Sequence, residues 1–124
     1  MSNKETITID GIKYIKESAA TGKSLALPVD GLKCVMVRTY SAGVHFGYLK
    51  KHTGKEVVLL NSRRVWYWDG AASLSQLAID GTSSPDKCKF PCAVPEITLT
   101  EAIEIIPITK EAKESLYGIK EWKG

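Results

Sequence analysis

Four short strand-forming segments follow one another in the first half of the chain, and their spacing is the feature that most constrains the fold. Each segment is rich in β-branched or aromatic residues. The segments cover residues 34–40, 44–50, 56–60 and 63–68. Turn-forming stretches of two to five residues separate them, and the shortest, Asn61-Ser62, could turn or bulge the chain. Connections this short predict an antiparallel meander.

The N-terminal and C-terminal parts add a hairpin and one further strand. Asp10-Gly11 lies between two alternating segments, 7–9 and 12–15, which is a strong signal for a two-residue hairpin turn. Residues 97–106 alternate with period two and predict one long strand, with Glu101 in phase with its apolar face. Residues 80–95 contain three prolines and are predicted to form a long loop.

Two short helices complete the prediction. Residues 71–78 place Leu74, Leu77 and Ala78 on one stripe, and Thr109 can cap a last helix over 110–116 that ends near Gly118. The predicted fold class is therefore α+β: a twisted antiparallel sheet meander with an N-terminal hairpin and two short helices.

Size and composition indicate one domain in a reducing compartment. The chain has 124 residues, which favours a single domain over residues 1–124. It has no apolar run long enough for a transmembrane helix, and its N-terminus lacks the apolar core of a secretory signal. We therefore expect a cytoplasmic protein. The net charge of +3 is too small to indicate a long nucleic acid as a partner.

The cysteines predict neither disulfides nor a metal site. Cys34 lies in an apolar run and is predicted to be a small core residue. Cys88 and Cys92 have no second cysteine pair, and His45 and His52 are distant in sequence, whereas zinc needs about four ligands. No role is assigned to Cys88 or Cys92.

Residues 63–68 carry the most unusual pattern. Period two places Arg64, Trp66 and Trp68 on one face, and Arg63, Val65 and Tyr67 on the other. An aromatic ring can stack on a base, and a guanidinium can bind a phosphate through two hydrogen bonds. The alternative is that the aromatic residues are core and the arginines are solvated. The sequence does not decide which face meets the core.

A second candidate is the stretch Tyr40-Ser41-Ala42-Gly43. Small residues after a tyrosine would let a ligand approach the backbone N–H groups, and Gly43 can adopt a positive φ. The same residues also suit an ordinary hairpin turn. His45, just beyond, could contact a ligand or act as a general base, or could simply be exposed.

Glu101 would be costly on an apolar face unless it is paired. Arg38, Arg63 or Arg64 could be the partner, in either a structural ion pair or one that organises a ligand. The sequence shows no catalytic triad, phosphate-binding glycine loop, metal-ligand cluster or paired-carboxylate motif. We therefore predict no enzyme, no catalytic residue, no metal and no cofactor.

Three blocks of sequence together resemble the first described Thoeris anti-defence family of small phage and prophage proteins. The blocks are RTYSAGVHFG at 38–47, NSRRVWYW at 61–68 and ITLTEAIEII at 97–106. The resemblance covers about residues 35–122. Residues 33–124 are then the expected ligand-binding core, and residues 1–32 are a variable hairpin and loop.

The resemblance implies a sponge that inhibits bacterial antiviral immunity. In Thoeris, a TIR-domain enzyme makes a cyclic ADP-ribose isomer from NAD, and this messenger activates an effector. Family members bind the messenger without degrading it, inside the host bacterial cytoplasm. They form homodimers or higher assemblies of dimers, and some bind cyclic oligonucleotides at a second site. We expect glyco-cyclic ADP-ribose as the ligand class, with no membrane partner.

The chemistry of such a ligand suggests roles for residues within the blocks. Tyr40, Trp66 or Trp68 could stack on adenine. Arg63, Arg64 and the backbone of Ser41, Ala42 and Gly43 could bind the pyrophosphate. A further set could bind the riboses or close over the ligand: Asn61, Thr100 and Glu101 for the riboses, His45 as a contact, and Phe90 as a lid residue.

Two alternatives from other classes stay open. One is a small β-domain that binds single-stranded nucleic acid through Arg64, Trp66 and Trp68. The other is a cyclic-nucleotide hydrolase that uses His45 or Glu101.

Overall fold

Seven strands and two helices make up the computed structural model, which describes residues 7–9, 12–14 and 23–124. The strands are β1 (Ile7–Ile9), β2 (Ile12–Tyr14), β3 (Cys34–Thr39), β4 (Val44–Thr53), β5 (Glu56–Arg64), β6 (Val94–Leu99) and β7 (Ala102–Pro107). The helices are α1 (Leu74–Asp80) and α2 (Lys110–Tyr117), and a short 3₁₀ turn covers Pro85–Lys87.

The main sheet has five strands in the order β6-β5-β4-β3-β7, and every neighbouring pair is antiparallel. The predicted α+β class is confirmed, since a meander of consecutive strands packs with two helices. The N-terminal hairpin is confirmed in its strands: β1 pairs antiparallel with β2, and Ile9 lies opposite Ile12. Its predicted turn, Asp10-Gly11, lies outside the described residues.

β5 corrects the sequence prediction at residues 56–68. We expected two strands with a turn or a bulge at Asn61-Ser62. The division into two strands is wrong, because β5 runs unbroken through both residues to Arg64. Asn61 has a φ of 50°, and the register with β4 shifts near Gly47. A Cβ on Gly47 would lie 2.9 Å from the Leu60 carbonyl oxygen. The turn signal therefore produces a bulge that bends the strand, as bulges commonly do.

Residues 97–106 also differ from the prediction of one strand. The chain breaks at Thr100-Glu101, and β6 and β7 lie at opposite edges of the sheet. A flat five-stranded sheet would separate its edges by about 19 Å, whereas the two connecting residues span at most about 11 Å. The sheet must therefore curl. The Ala102 N–H, at the start of β7, donates to the carbonyl of Lys55, which lies between β4 and β5, at 3.0 Å.

Both faces of the curled sheet are buried. On β3, Val35 and Val37 belong to the cluster inside the curl, with Val57 and Leu59. The alternate residues Cys34 and Met36 belong to a second cluster, formed with both helices: Phe46, Val65, Leu77, Ala78, Phe90, Ala112 and Leu116. Burial on both faces explains why β3 is an almost continuous apolar run rather than an alternating one.

The two helices form where the sequence predicts them. The Ser73 hydroxyl accepts from the Gln76 N–H at the start of α1, and Leu77 and Ala78 are buried. The Thr109 hydroxyl accepts from the Ala112 N–H, and α2 ends at Gly118. Both N-caps follow the preference for a side-chain oxygen at that position. Among the described residues, no helix has both the length and the hydropathy that a membrane crossing requires.

Candidate functional site

The turn between β3 and β4 is held in place by Thr39. The Thr39 N–H and hydroxyl both donate to the Gly43 carbonyl, at 3.0 and 2.7 Å, and the hydroxyl accepts from the Ala42 N–H at 2.8 Å. Gly43 has a φ of 84°, as the sequence predicts. The turn is therefore a defined scaffold for the side chains around it.

The Ala42 carbonyl accepts two side-chain hydrogen bonds. Arg64 Nη1 donates at 2.8 Å, and His45 Nε2 lies at 2.9 Å. Because a carbonyl oxygen only accepts, the His45 proton sits on Nε2. A Cβ on Gly43 would lie 3.5 Å from Arg64 Nη1, so the guanidinium also lies against Gly43.

His45 is buried, with 1% of its surface exposed. Burial lowers the pKa of its imidazole; the bond to Ala42 opposes this, and the Arg64 charge adds to the lowering. The ring is therefore neutral at neutral pH. The predictions of His45 as an exposed residue, a ligand contact or a general base are wrong for this structure, because its ring does not reach the surface and holds the turn instead.

The connection between β6 and β7 lies beside the same turn. Ser41 Oγ donates to a Glu101 carboxylate oxygen at 2.5 Å, and the Tyr40 N–H donates to the Glu101 carbonyl at 3.0 Å. Glu101 and its neighbour Thr100 are exposed. The prediction of a carboxylate on an apolar face, paired with an arginine, is wrong because the strand breaks there; Arg38 pairs with Glu104 instead.

We define the turn site as Tyr40, Ser41, Gly43, Arg64 and Glu101. Tyr40 is 79% exposed. Among the described residues, the N–H groups of Ser41 and Gly43 have no hydrogen-bond acceptor. The site therefore combines an exposed ring, a guanidinium, two available backbone donors and a carboxylate.

A second group of side chains at the surface, which we call the aromatic surface, consists of the exposed Trp66, Tyr67 and Lys89 and the partly buried Trp122. Trp66 and Tyr67 are 61% and 50% exposed. The Trp66 and Trp122 rings are nearly parallel, at 15°, with centroids 6.1 Å apart. Lys89 and Trp122 were missed from the sequence, because only the tertiary structure brings residues 89 and 122 to residues 66–67.

A comparison with known protein families places this chain in one of them. Residues 32–116, more than two thirds of the chain, match the model of the domain of unknown function DUF6948. The chain belongs to the DUF6948 family. No curated protein and no solved structure matches it.

The DUF6948 match contains the whole turn site and most of the aromatic surface. Residues 32–116 include β3 to β7 and nearly all of α2, whereas Trp122 lies beyond them. The turn site is thus a feature of the domain itself, and the aromatic surface is completed by the segment that follows the domain.

Arg63 has no part in either exposed site of this DUF6948 chain. It is 5% exposed, lies opposite Phe46 and faces the helices. Its guanidinium donates to four carbonyl oxygens: Phe90 at 2.8 Å, Pro91 at 3.1 Å, Ile119 at 2.8 Å and Leu116 at 3.4 Å. The prediction that Arg63 binds a phosphate is wrong, because the guanidinium is buried and these carbonyls occupy four of its five N–H donors.

Phe90 and Trp68 are likewise part of the packing. Phe90 is fully buried and packs on Phe46 with ring centroids 5.7 Å apart, so the prediction of a lid residue is wrong. Trp68 is partly buried against the same core and does not share an exposed face with Trp66. The strand ends at Arg64, so alternation no longer sets the direction of Trp68.

Asn61 lies at the β5 bulge rather than at the turn site. Its carbonyl accepts from the Tyr117 hydroxyl at 2.8 Å. Asn61 and Arg64 are three residues apart on β5, which corresponds to a distance of about 10 Å along the strand. Asn61 is therefore separated along β5 from Arg64, whose side chain lies at the β3–β4 turn.

The cysteines of the DUF6948 domain are all free. Cys34 is buried, as predicted, and burial raises the pKa of its thiol to about 11. Cys88 is buried and Cys92 is exposed. In the part of the chain that the structure describes, no three histidine, cysteine or acidic side chains are grouped as metal ligands.

Proposed function

We propose that this protein is a sponge that binds a cyclic ADP-ribose isomer of the Thoeris system and retains it without degrading it. It would act in the cytoplasm of the host bacterium and inhibit TIR-dependent antiviral immunity. One observation carries the proposal: the three blocks of the resemblance, far apart in sequence, converge at the turn site. Ser41 contacts Glu101, and Arg64 contacts Ala42.

The pyrophosphate of the ligand would bind Arg64 and the turn backbone. One of five guanidinium N–H groups donates to Ala42, which orients the side chain and leaves others for phosphate oxygens. The N–H groups of Ser41 and Gly43 would add two further donors. Charge-assisted bonds from a guanidinium are about twice as strong as neutral ones, so Arg64 should dominate this part of the affinity.

Adenine and ribose would use the remaining side chains of the turn site. The Tyr40 ring is the most exposed aromatic of the described residues and can stack on a base. The Glu101 carboxylate can accept from ribose hydroxyls, in competition with its bond from Ser41. Thr100, adjacent and exposed, is a further ribose contact.

Tight retention would require a second wall over the turn site. Tyr40 is open to solvent in one chain, whereas small-ligand sites usually bury most of their ligand. We propose that a second copy of the chain supplies this wall, in a homodimer or a larger assembly of dimers. Slow release, which a sponge requires, follows from such enclosure because affinity is set mostly by off-rates.

The test is to incubate the protein with the cyclic ADP-ribose isomer, remove free ligand, denature the protein by heat and analyse the supernatant. Recovery of intact messenger is expected. Degraded messenger would overturn the sponge and favour a hydrolase, in which Glu101 is the exposed carboxylate at the site. Failure to retain any messenger would overturn both functions.

The variant Arg64→Ala tests the role of the turn site. We expect it to weaken messenger binding by tenfold or more, equivalent to about 1.4 kcal/mol, because it removes the charged donor. Isothermal titration calorimetry measures the change. Arg38→Ala is the matched control, since it removes the same charge from an arginine held by Glu104. An equal loss in both variants would contradict the assignment of Arg64.

A further inference from the structure

The aromatic surface lies outside the turn site and exposes ring faces that the core does not use. Trp66 and Tyr67 are 61% and 50% exposed, although each ring could contribute substantially to a core. Trp122 lies parallel to Trp66. Exposed single apolar residues are ordinary, but two neighbouring exposed aromatic residues beside a third that is partly buried mark a site of interaction.

The backbone holds this surface in place. Tyr67 and Lys89 exchange two backbone hydrogen bonds, at 3.2 and 2.8 Å. The Trp122 N–H donates to the Phe90 carbonyl at 2.9 Å, and Phe90 forms a parallel bridge with Glu121. Three separate segments therefore meet as short extended pieces. Their backbone hydrogen bonds fix the positions of the residues that carry the rings.

Lysines accompany the rings. The Lys89 ammonium lies 5.8 Å from the centre of the Tyr67 ring and 5.6 Å from that of Trp122. A groove of about 420 Å³ begins at Trp122, and Lys120 contributes to its wall. The other residues that line the groove are Pro85, Asp86, Cys88, Gly118, Ile119 and Glu121. Stacking faces thus lie next to cationic groups that can meet a phosphate backbone.

We propose that the aromatic surface binds a short segment of single-stranded nucleic acid. Bases would stack on Trp66, Tyr67 and Trp122, and the phosphates between them would lie near Lys89 and Lys120. Stacking faces combined with cations are the chemistry that single-strand binders use. Duplex DNA does not fit this chemistry, because its bases are already stacked.

The charge distribution favours short single strands over long polyanions. Asp86 and Glu121 line the same groove as Lys120, and the net charge of the chain is only +3. Phosphate contacts alone would therefore give little affinity. Base stacking must provide most of it, and this distinguishes the proposal from general binding of polyanions.

The experiment measures binding of fluorescently labelled (dT)8 to the full chain by anisotropy at several salt concentrations. A matched strand of eight abasic nucleotides carries the same phosphates without bases. We expect the abasic strand to bind at least about tenfold more weakly, as the loss of stacking implies. Equal binding of the two strands would overturn the proposal, and so would the absence of any (dT)8 binding.

Variants identify the surface that binds. Trp66→Ala and Tyr67→Leu replace exposed side chains, and each should weaken (dT)8 binding by about fivefold or more. Tyr40→Ala is the matched control, because it removes an exposed aromatic residue from the turn site. Unchanged binding in both Trp66→Ala and Tyr67→Leu, or a larger loss in Tyr40→Ala, would overturn the assignment. Tyr40→Ala should instead weaken messenger binding, so the two proposed sites can fail independently.

Discussion

Arg63 and Arg64 are neighbours on β5, yet they differ in the sheet face they occupy, in burial and in the number of hydrogen bonds they make. Arg63 lies opposite Phe46 on the face that packs against the helices, and Arg64 lies opposite His45 on the other face. Arg63 is buried and donates to four carbonyls, whereas Arg64 is partly exposed and donates to one. Of two adjacent arginines, Arg63 therefore stabilises the fold and Arg64 belongs to the candidate ligand site.

The Arg63 region joins three parts of the chain. Its guanidinium connects β5 to residues 90–91 and to the carbonyls at the end of α2. A cation at a helix C-terminus also meets the negative end of the helix dipole. Burial lowers the pKa of the Arg63 guanidinium, but an arginine remains charged at neutral pH. The charge is therefore stabilised by carbonyl dipoles.

The largest expected effect is the loss of stability in Arg63→Met. The variant keeps an apolar stem but leaves buried carbonyl oxygens without donors, so we expect the free energy of unfolding to fall by about 3 kcal/mol. Urea denaturation followed by tryptophan fluorescence measures it. Arg64→Ala, which breaks one hydrogen bond at the surface, should cost about 1 kcal/mol or less. Equal losses would contradict the contrast between the two regions.

A smaller effect concerns pH and the buried His45. The pKa of His45 is lowered in the folded state. As the pH falls below the ordinary histidine pKa of about 6.5, the unfolded chain therefore binds more protons than the folded chain does. Stability contributed by neutral His45 is therefore present above that pH and is lost as the pH falls below it. The slope is at most about 1.4 kcal/mol per pH unit.

Urea denaturation at pH 7.5 and pH 5.5 measures this dependence. His45→Gln keeps a donor for the Ala42 carbonyl but does not titrate, so the part of the pH dependence that comes from His45 should disappear. His52→Gln is the matched control, because His52 is exposed. A pH dependence that is unchanged in His45→Gln and abolished in His52→Gln would show that the buried ring does not set it.

The smallest expected effect lies next to Arg63. The hydroxyl of Ser62 is buried and, in the described part of the chain, has no hydrogen-bond partner. Ser62→Ala removes this unsatisfied group, so stability should stay within about 0.5 kcal/mol or increase. Thr39→Val is the comparison, since the Thr39 hydroxyl makes two bonds and its loss should cost about 1–2 kcal/mol. Thermal unfolding distinguishes the two variants.

Local sequence signals predicted a helix or strand correctly where one local preference, such as that for an N-cap residue, decides where it begins. Ser73 and Thr109 precede helices, and their hydroxyls cap the first turns. At Asn61-Ser62 the sequence left a turn and a bulge both open. The prediction of two strands within residues 56–68 was wrong because the bulge forms, and the neighbouring strand decides between the two. Gly47 leaves room for that bulge from 14 residues away in the chain.

The candidate site was predicted only in part, because contacts with distant segments decide which side chains are buried. Tyr40, Ser41, Gly43, Arg64 and Glu101 lie together, and their residue types suggested a ligand site. The structure removes Arg63 and Phe90 from that set, because both are buried in the packing between sheet and helices. Period-two alternation separates Arg63 from Arg64, but it does not say which face meets the core.

Sequence alone thus determined the consecutive antiparallel pairing that starts at β3, the two helices with their caps, and the residue types available for binding. These depend on contacts between residues that are close in the chain. Only the tertiary structure decided that the sheet curls, that the β6–β7 connection lies beside the β3–β4 turn, and that Trp122 lies parallel to Trp66. Those placements come from packing between distant segments, which buries one arginine and leaves its neighbour at the surface.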